Sequence, residues 1–352
     1  MTAQVRSNPL QAIITITQRC NLHCKYCCAR YSIFAESQDQ PTLFWEKIID
    51  ELSRLKVLRI QYTGGEPFMR PDFLELCRRT AAGNMRFLIF SNGTLITPVI
   101  ASELGKIGHC DLFRVSFDGI HGAHEKFRGD NGAAVWKGIQ LLRDNGIPVA
   151  VRITIGKHNY FNFPATLNML ESKGITRVST AFVHPPDALS KEFLNWTIPP
   201  SITAAVIRMH RNLPVQQLKQ LLTSEPVAAW RRWVAWFRSG SPVTRKNQTE
   251  CFVNCGAMGR SLHIANTGAV IPCPSYEHEI ITNIGEVDLA EIWRKIMEPH
   301  RIRRYVLPKE CASCCYLSAC NVGCPGKPFA CLQQIIPFLP DLREWPLPEE
   351  LI

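Results

Sequence analysis

Between residues 12 and 183 two hydrophobic periods alternate along the chain. Short β-branched and aromatic runs, AIITIT (12–17), VLRIQYT (57–63), RFLIF (86–90), LFRVSF (112–117), VAVRITI (149–155) and RVSTAFV (177–183), read as strands. Between them WEKIIDELSRL, PDFLELCRRTA, PVIASELGKI, AAVWKGIQLLRDNG and FPATLNMLESKG place apolar residues at helical spacing. Pro71 is predicted to open one helix, and Gly146 and Gly174 to close others. Strands alternating with helices predict a parallel sheet with right-handed crossovers. Six such units fall short of a closed eight-unit barrel, so the predicted fold class is α/β, a partial (βα)6 barrel open on one side.

Past residue 183 the pattern changes. Residues 184–250 set HPPD, IPPS and SGSP turns around helical segments and read as a helical linker. Trp230, Trp233 and Trp236 fall on one helical face there, which favours packing over base stacking. From Cys251 to Cys331 cysteines crowd together with Gly and Pro between them, as in a small, loop-rich, cysteine-rich C-terminal domain wrapped around metal. The predicted organisation is therefore 1–183 barrel, 184–250 linker, 251–331 metal domain and 332–352 a proline-punctuated surface tail.

Composition narrows the setting. No stretch approaches the roughly 18 apolar residues of a membrane span, and no signal peptide is visible, so a cytoplasmic protein without a membrane partner is expected. Fifteen cysteines in a reducing compartment point to metal ligation rather than to disulfides.

Cys20, Cys24 and Cys27 form a CxxxCxxC set directly after the first strand, at the carboxyl mouth where parallel α/β folds place their sites. Zinc normally wants four ligands, whereas three thiolates around a 4Fe-4S cluster leave one iron open. TGGEP (63–67) follows the second strand, SNGT (91–94) the third and SFDG (116–119) the fourth. Each alone is compatible with a turn, and the cysteines alone with zinc or structural thiols.

Taken in this order, TQRCNLHCKYCCARY and TGGEP resemble the signature of the radical S-adenosylmethionine (SAM) superfamily. The resemblance implies that Cys20, Cys24 and Cys27 hold a 4Fe-4S cluster whose open iron chelates SAM. An electron from it breaks the bond to the adenosyl C5′, and the resulting radical abstracts hydrogen from substrate. Tyr26 is implied near the adenine. Gly64, Gly65, Glu66 and Pro67 are implied at the methionine amino group, with Glu66 accepting from the ammonium. Ser91, Asn92, Ser116 and Asp118 are implied toward the ribose and adenine, and Arg152 toward the SAM carboxylate.

The C-terminal cysteines, Cys255, Cys273, then Cys311-x2-Cys314-x5-Cys320-x3-Cys324 and Cys331, resemble the SPASM pattern of radical SAM maturases, with Cys251 as an eighth thiol. The resemblance assigns Cys251, Cys255, Cys273 and Cys324 to one auxiliary cluster, and Cys311, Cys314, Cys320 and Cys331 to another. Two four-cysteine zinc sites would use the same ligand number. Gly268, in NTGAVIPC, is predicted at a hairpin turn that needs φ > 0. Cys77 and Cys110 read as packed thiols; Cys28 and Cys315 adjoin ligands without fitting the spacing. His121, His124, Glu125 and Asp130 read as surface or loop groups.

Three 4Fe-4S clusters, each of core charge about +2, held by eleven thiolates would bring the formal charge of +10 down to roughly +5, so no nucleic-acid partner is expected. The function implied is a maturase that modifies a peptide or protein side chain, fed by an electron donor such as flavodoxin or ferredoxin. The alternatives are oxidation or epimerisation of a small molecule of aminocyclitol or tetrapyrrole type, and, from another class, a non-catalytic zinc-binding interaction protein. Eleven residues precede the first strand, too few for a winged-helix peptide-recognition module, so a peptide substrate is expected to be held by a separate protein or by the linker.

Overall fold

The computed structural model describes residues 8–183 continuously, then 195–196, 198, 201–203, 206, 221–222, 250–251, 260–273, 277, 279–285, 288–296 and 305–306. Most of the linker with its tryptophans, the tail, and Cys255, Cys311, Cys314, Cys315, Cys320, Cys324 and Cys331 lie outside the described residues. The chain forms two compact units that interleave in sequence. The first comprises 1–117, 124–150 and 255–302, the second 118–123, 151–254 and 303–352.

In the first unit, strands β1 (Gln11–Thr17), β2 (Arg59–Gly64), β3 (Arg86–Ser91) and β4 (Cys110–Ser116) run parallel in that order. Helices α1 (Thr42–Arg54), α2 (Phe73–Ala82) and α3 (Pro98–Ile107) make the crossovers; α4 (Ala123–Arg128) and α5 (Gly132–Asp144) follow β4. On β1 the residues alternate: Ala12, Ile14 and Ile16 are fully buried, while Gln11, Ile13 and Thr15 are half-buried, the period-two signature of a strand with unlike faces. Trp45, Ile48, Ile49 and Leu52 supply the buried stripe of α1, at about 2 kcal/mol for each side chain removed from water. Tyr62 on β2 presses edge-on against Phe73 of α2 at 5.2 Å and shares a 2.7 Å hydrogen bond with Thr80.

The other side of β1 is taken by the cysteine-rich region. Strand β9 (Ser261–Ile264) lies parallel to β1, and β10 (Ala269–Ile271) and β11 (Thr282–Asn283) continue antiparallel from it. Gly268 has φ +85 at the β9–β10 turn, as predicted, and a Cβ there would stand 2.7 Å from the Phe44 ring. Helix α7 (Leu289–Ile296) buries Leu289, Ile292, Trp293 and Ile296.

β5 (Val149–Ile155), which lies in the second unit from Val151 on, β6 (Val178–Phe182) and β7 (Leu221–Leu222) run parallel, with α6 (Phe163–Ser172) between β5 and β6. A separate pair, β8 (Glu250–Cys251) and β12 (Tyr305–Val306), sets Cys251 opposite Tyr305.

Three readings shift. Strand β2 starts at Arg59, after Lys56 takes a left-handed φ of +59. Pro71 lies outside α2, which starts at Phe73 behind Asp72. His124 is neither a surface nor a loop group: it sits in α4, fully buried, stacked on Phe117 at 4.9 Å. Gly146 and Gly174 follow α5 and α6 with φ +72 and +71, and Cys77 and Cys110 are buried thiols as expected. Among the described residues no helix is long and apolar enough to cross a membrane.

Candidate functional site

The site assembles at the carboxyl ends of β1, β2 and β3. β1 runs out at Thr17 into the loop that carries Cys20, Cys24 and Cys27. A second loop, following β2, closes on it from beside. Glycines are required there: a Cβ on Gly64 would meet Thr17 O at 2.2 Å and one on Gly65 would meet Arg19 O at 2.3 Å. The close approach is sealed by Gly65 N donating to Thr17 O (2.9 Å) and Glu66 N to Arg19 O (2.8 Å).

Glu66 is fully buried at the centre. Its carboxylate accepts from Phe68 N (3.2 Å) and Ser91 Oγ (2.9 Å) on one oxygen, and from Asn92 N (2.7 Å) on the other. Burial pushes its pKa up to about 7 against these three donors. A carboxylate offers about four lone-pair sites, so one acceptor position remains. Asn92 also donates to Asn21 Oδ1 (2.9 Å) and approaches Cys20 Sγ at 3.9 Å, while Asn21 donates to Thr94 (2.9 Å). The predicted SNGT and GGEP segments are thus brought together on the cysteine loop. Pro67 is buried and opens the short turn Pro67–Met69.

Cys24 is buried; Cys20 and Cys27 are half-buried. Burial raises the Cys20 and Cys27 thiols, and the neighbouring groups Glu66 and Cys27 for Cys20, and Cys24 for Cys27, add to it, so the three sulfurs share one local field. Such thiols ionise readily only when a metal takes up the charge. Zinc normally takes four protein ligands, whereas three thiolates on a 4Fe-4S cluster leave one iron open. The three-thiol donor set fits a cluster with one iron left for another ligand.

Tyr26 is buried, stacked on Phe127 at 6.1 Å and under the Arg128 guanidinium at 5.4 Å. Ser116 ends β4, half-buried. Asp118 and Arg152 belong to the second unit. There Asp118 accepts from Thr154 N (3.0 Å) and, through its carbonyl, from Asn159 (2.7 Å), while Arg152 lies on β5 in register with Ser179. Of the auxiliary thiols, Cys273 is half-buried just past β10.

Several residues that hold the loop had no sequence signal. Asp39 accepts from Thr17 Oγ1 (2.6 Å), Arg19 Nε (3.3 Å) and the side chain of Asn266 (3.1 Å) in the β9–β10 turn. Arg70 is buried, bidentate to Asp72 (2.6 and 3.0 Å), and donates to Ile16 O and Gln40 O. Glu277 accepts from Ser32 Oγ and from Ile33 N (3.2 Å).

Comparison with known proteins places these features. Residues 14–170 match the radical SAM superfamily, and residues 255–315 the SPASM iron-sulfur cluster-binding domain. Fe-coproporphyrin III synthase of Methanosarcina barkeri is 36% identical over 165 residues, 46% of this chain and 41% of that protein, so the match spans less than half of the synthase. Two longer matches reach 25% identity: AdoMet-dependent heme synthase of M. barkeri over 90% of both chains, and PqqA peptide cyclase of Granulibacter bethesdensis over 92% of this chain and 84% of that one. The solved structure of anSMEcpe with bound AdoMet shares the fold at TM-score 0.70 and 17% identity, covering 96% of both chains. Streptococcus suis SuiB bound to precursor peptide SuiA does so at 0.71 and 18%, covering 93% of this chain and 75% of that one. The fold is the mixed α/β partial barrel of these neighbours, with the SPASM domain C-terminal.

Proposed function

We propose that this chain, a radical SAM enzyme with a C-terminal SPASM domain using 4Fe-4S clusters and SAM, is a maturase that abstracts hydrogen from a peptide or protein side chain. When bound, the cofactors supply a 5′-deoxyadenosyl radical. Cys20, Cys24 and Cys27 would hold the cluster, and Glu66 offers its remaining lone-pair site to the ammonium of SAM. Ser91 and Asn92 keep both Glu66 oxygens oriented, and Asn92 fixes the loop through Asn21. Three clusters are proposed, the auxiliary two held by Cys251, Cys255, Cys273 and Cys324 and by Cys311, Cys314, Cys320 and Cys331. Asp118 and Arg152 are proposed as further SAM contacts. The observation that carries the reading is the junction of Glu66, Ser91 and Asn92 with the three-thiol loop.

The peptide reading draws on PqqA peptide cyclase and on SuiB with its precursor peptide. A second reading, tetrapyrrole side-chain oxidation, draws on the two M. barkeri synthases. A separate peptide-recognition protein, a flavodoxin or ferredoxin donor and a cytoplasmic setting complete the proposal. The test is anaerobic incubation with SAM, reductant and the peptides and tetrapyrroles encoded or made beside its gene, read by mass spectrometry. A mass change on a peptide together with 5′-deoxyadenosine is expected; product from a tetrapyrrole alone would transfer the assignment to the second reading.

A further inference from the structure

One end of α4 is built onto the cysteine loop by more contacts than packing requires. Arg128, half-buried at its last position, donates from Nη1 to Cys24 Sγ at 3.8 Å and covers the Tyr26 ring at 5.4 Å. The preceding residue grips the same loop: Lys25 N donates to Phe127 O at 3.0 Å, and the Phe127 ring stacks on Tyr26 at 6.1 Å. Arg128 is itself held from behind. Its carbonyl accepts from Asn131 Nδ2 (2.8 Å), and Asn131 Oδ1 bonds His124 Nε2 (2.7 Å), whose fully buried ring stacks on Phe117 at the end of β4. Ring stacking on Phe117 and the His124–Asn131–Arg128 hydrogen bonds thus hold a permanent cation against one sulfur of the loop.

Hydrogen bonds and positive charge at a ligating sulfur favour the more negative, reduced state of a cluster, and outer groups orient the ligand as well. We propose that Arg128 is a positioning residue for the Cys20, Cys24 and Cys27 site: it fixes the Cys24 sulfur and raises the reduction potential of the cluster held there. This rests on reading those cysteines as cluster ligands.

The test uses the full chain, anaerobically reconstituted, as Arg128→Gln and Arg128→Lys. Iron is counted, and an EPR-monitored redox titration follows the signal that changes on adding SAM. Arg128→Gln is expected to keep its iron but to reduce about tenfold less favourably, a potential lower by about 59 mV. Full iron with an unchanged potential overturns the proposal. If Arg128→Gln loses iron, Arg128→Lys decides, because it keeps the charge without the planar fork. Iron retained in Arg128→Lys where Arg128→Gln lost it supports the role, because only the charge beside Cys24 was kept; the same loss of iron makes Arg128 merely structural and overturns it. Absence of any SAM-responsive signal in the unsubstituted protein would instead remove the cluster reading and the proposal with it.

Discussion

Replacing Asp39 by alanine is expected to uncouple the start of the cysteine loop from the β9–β10 turn. Thr17 and Asn266 are both fully buried, and each donates to this carboxylate, at 2.6 and 3.1 Å. Thr17 Oγ1 then loses its acceptor, which costs about 1–3 kcal/mol for a buried donor left unmade. Asn266 keeps Ser37 Oγ at 3.0 Å, so its loss is nearer the ~1 kcal/mol of one net hydrogen bond. The Arg19 contact, on a side chain 58% exposed, adds little. The sum is about 2–4 kcal/mol of local stability, and at 1.4 kcal/mol per tenfold the loop amides should lose at least about 30-fold in hydrogen-exchange protection. The assay is exchange read by mass spectrometry on peptides covering Gln18, Gln40 and the β9–β10 turn, with Arg19→Ala as the comparison expected to change little. A double-mutant cycle with Asn266→Ala should return a coupling of about 0.5–3 kcal/mol. Strict additivity, or an Arg19→Ala effect as large as that of Asp39→Ala, would refute the reasoning.

The unsubstituted enzyme should hold about 12 iron, and Cys20, Cys24 and Cys27 replaced together by Ala should leave about 8 with no SAM cleavage; zinc at about two equivalents with few irons would defeat the three-cluster proposal. Gly65→Ala drives a Cβ to 2.3 Å from a backbone oxygen that cannot swing aside, so about four irons should be lost with the rest retained, and full iron would show that the loop yields. His263 on β9 is buried, with neither ring nitrogen bonded among the described residues, and burial lowers its pKa to about 4. Its unfolded value near 6.5 is higher, so stability is complete above about pH 6.5 and falls as pH drops toward 4, by about 3 kcal/mol in all. His263→Leu should flatten the unfolding midpoint across that window, and an unchanged slope would assign the loss to other groups.

Local pattern made the elements legible, though not every end: α2 starts at Phe73, past Pro71, and β2 at Arg59. The alternation on β1 and the stripe of Trp45, Ile48, Ile49 and Leu52 specify their elements because burial repeats at the strand and helix periods. The three thiols, GGEP and SNGT were legible because they follow strands. Asp39 was not: it meets Asn266 across 227 residues, and nothing local distinguishes it from a solvated loop acid. His124 misled for a related reason, since HGAHEKFRGD is polar around it while Phe117 and Asn131 enclose it in three dimensions. Glu66 was recognised by type, but its service to Phe68, Ser91 and Asn92 is a property of packing.

Formylglycine formation is not expected from the residues that follow Cys273 in sequence. Anaerobic sulfatase-maturating enzymes, which the cysteine pattern resembles, place an aspartate directly after the corresponding cysteine as the base that deprotonates substrate. This chain has Pro274 there, without an ionisable group or an N–H. Ser275 follows, and Glu277 is the nearest carboxylate. That carboxylate is already engaged: it accepts from Ser32 Oγ and Ile33 N, tying the auxiliary region to the segment after the cysteine loop. Turning it toward a substrate would give up both bonds, about 1 kcal/mol for the half-buried Ser32 and less for the exposed Ile33, before any proton moved. General-base assistance is commonly worth about 10² to 10⁴ in rate, so formylglycine formation should fall to background even while SAM is cleaved. A sulfatase-type peptide bearing serine, followed by mass spectrometry, should keep both hydrogens; loss of two hydrogens well above background would show that another base serves. Glu277→Gln sharpens the test, because it should disturb the Ser32 contact without changing a rate that never depended on it.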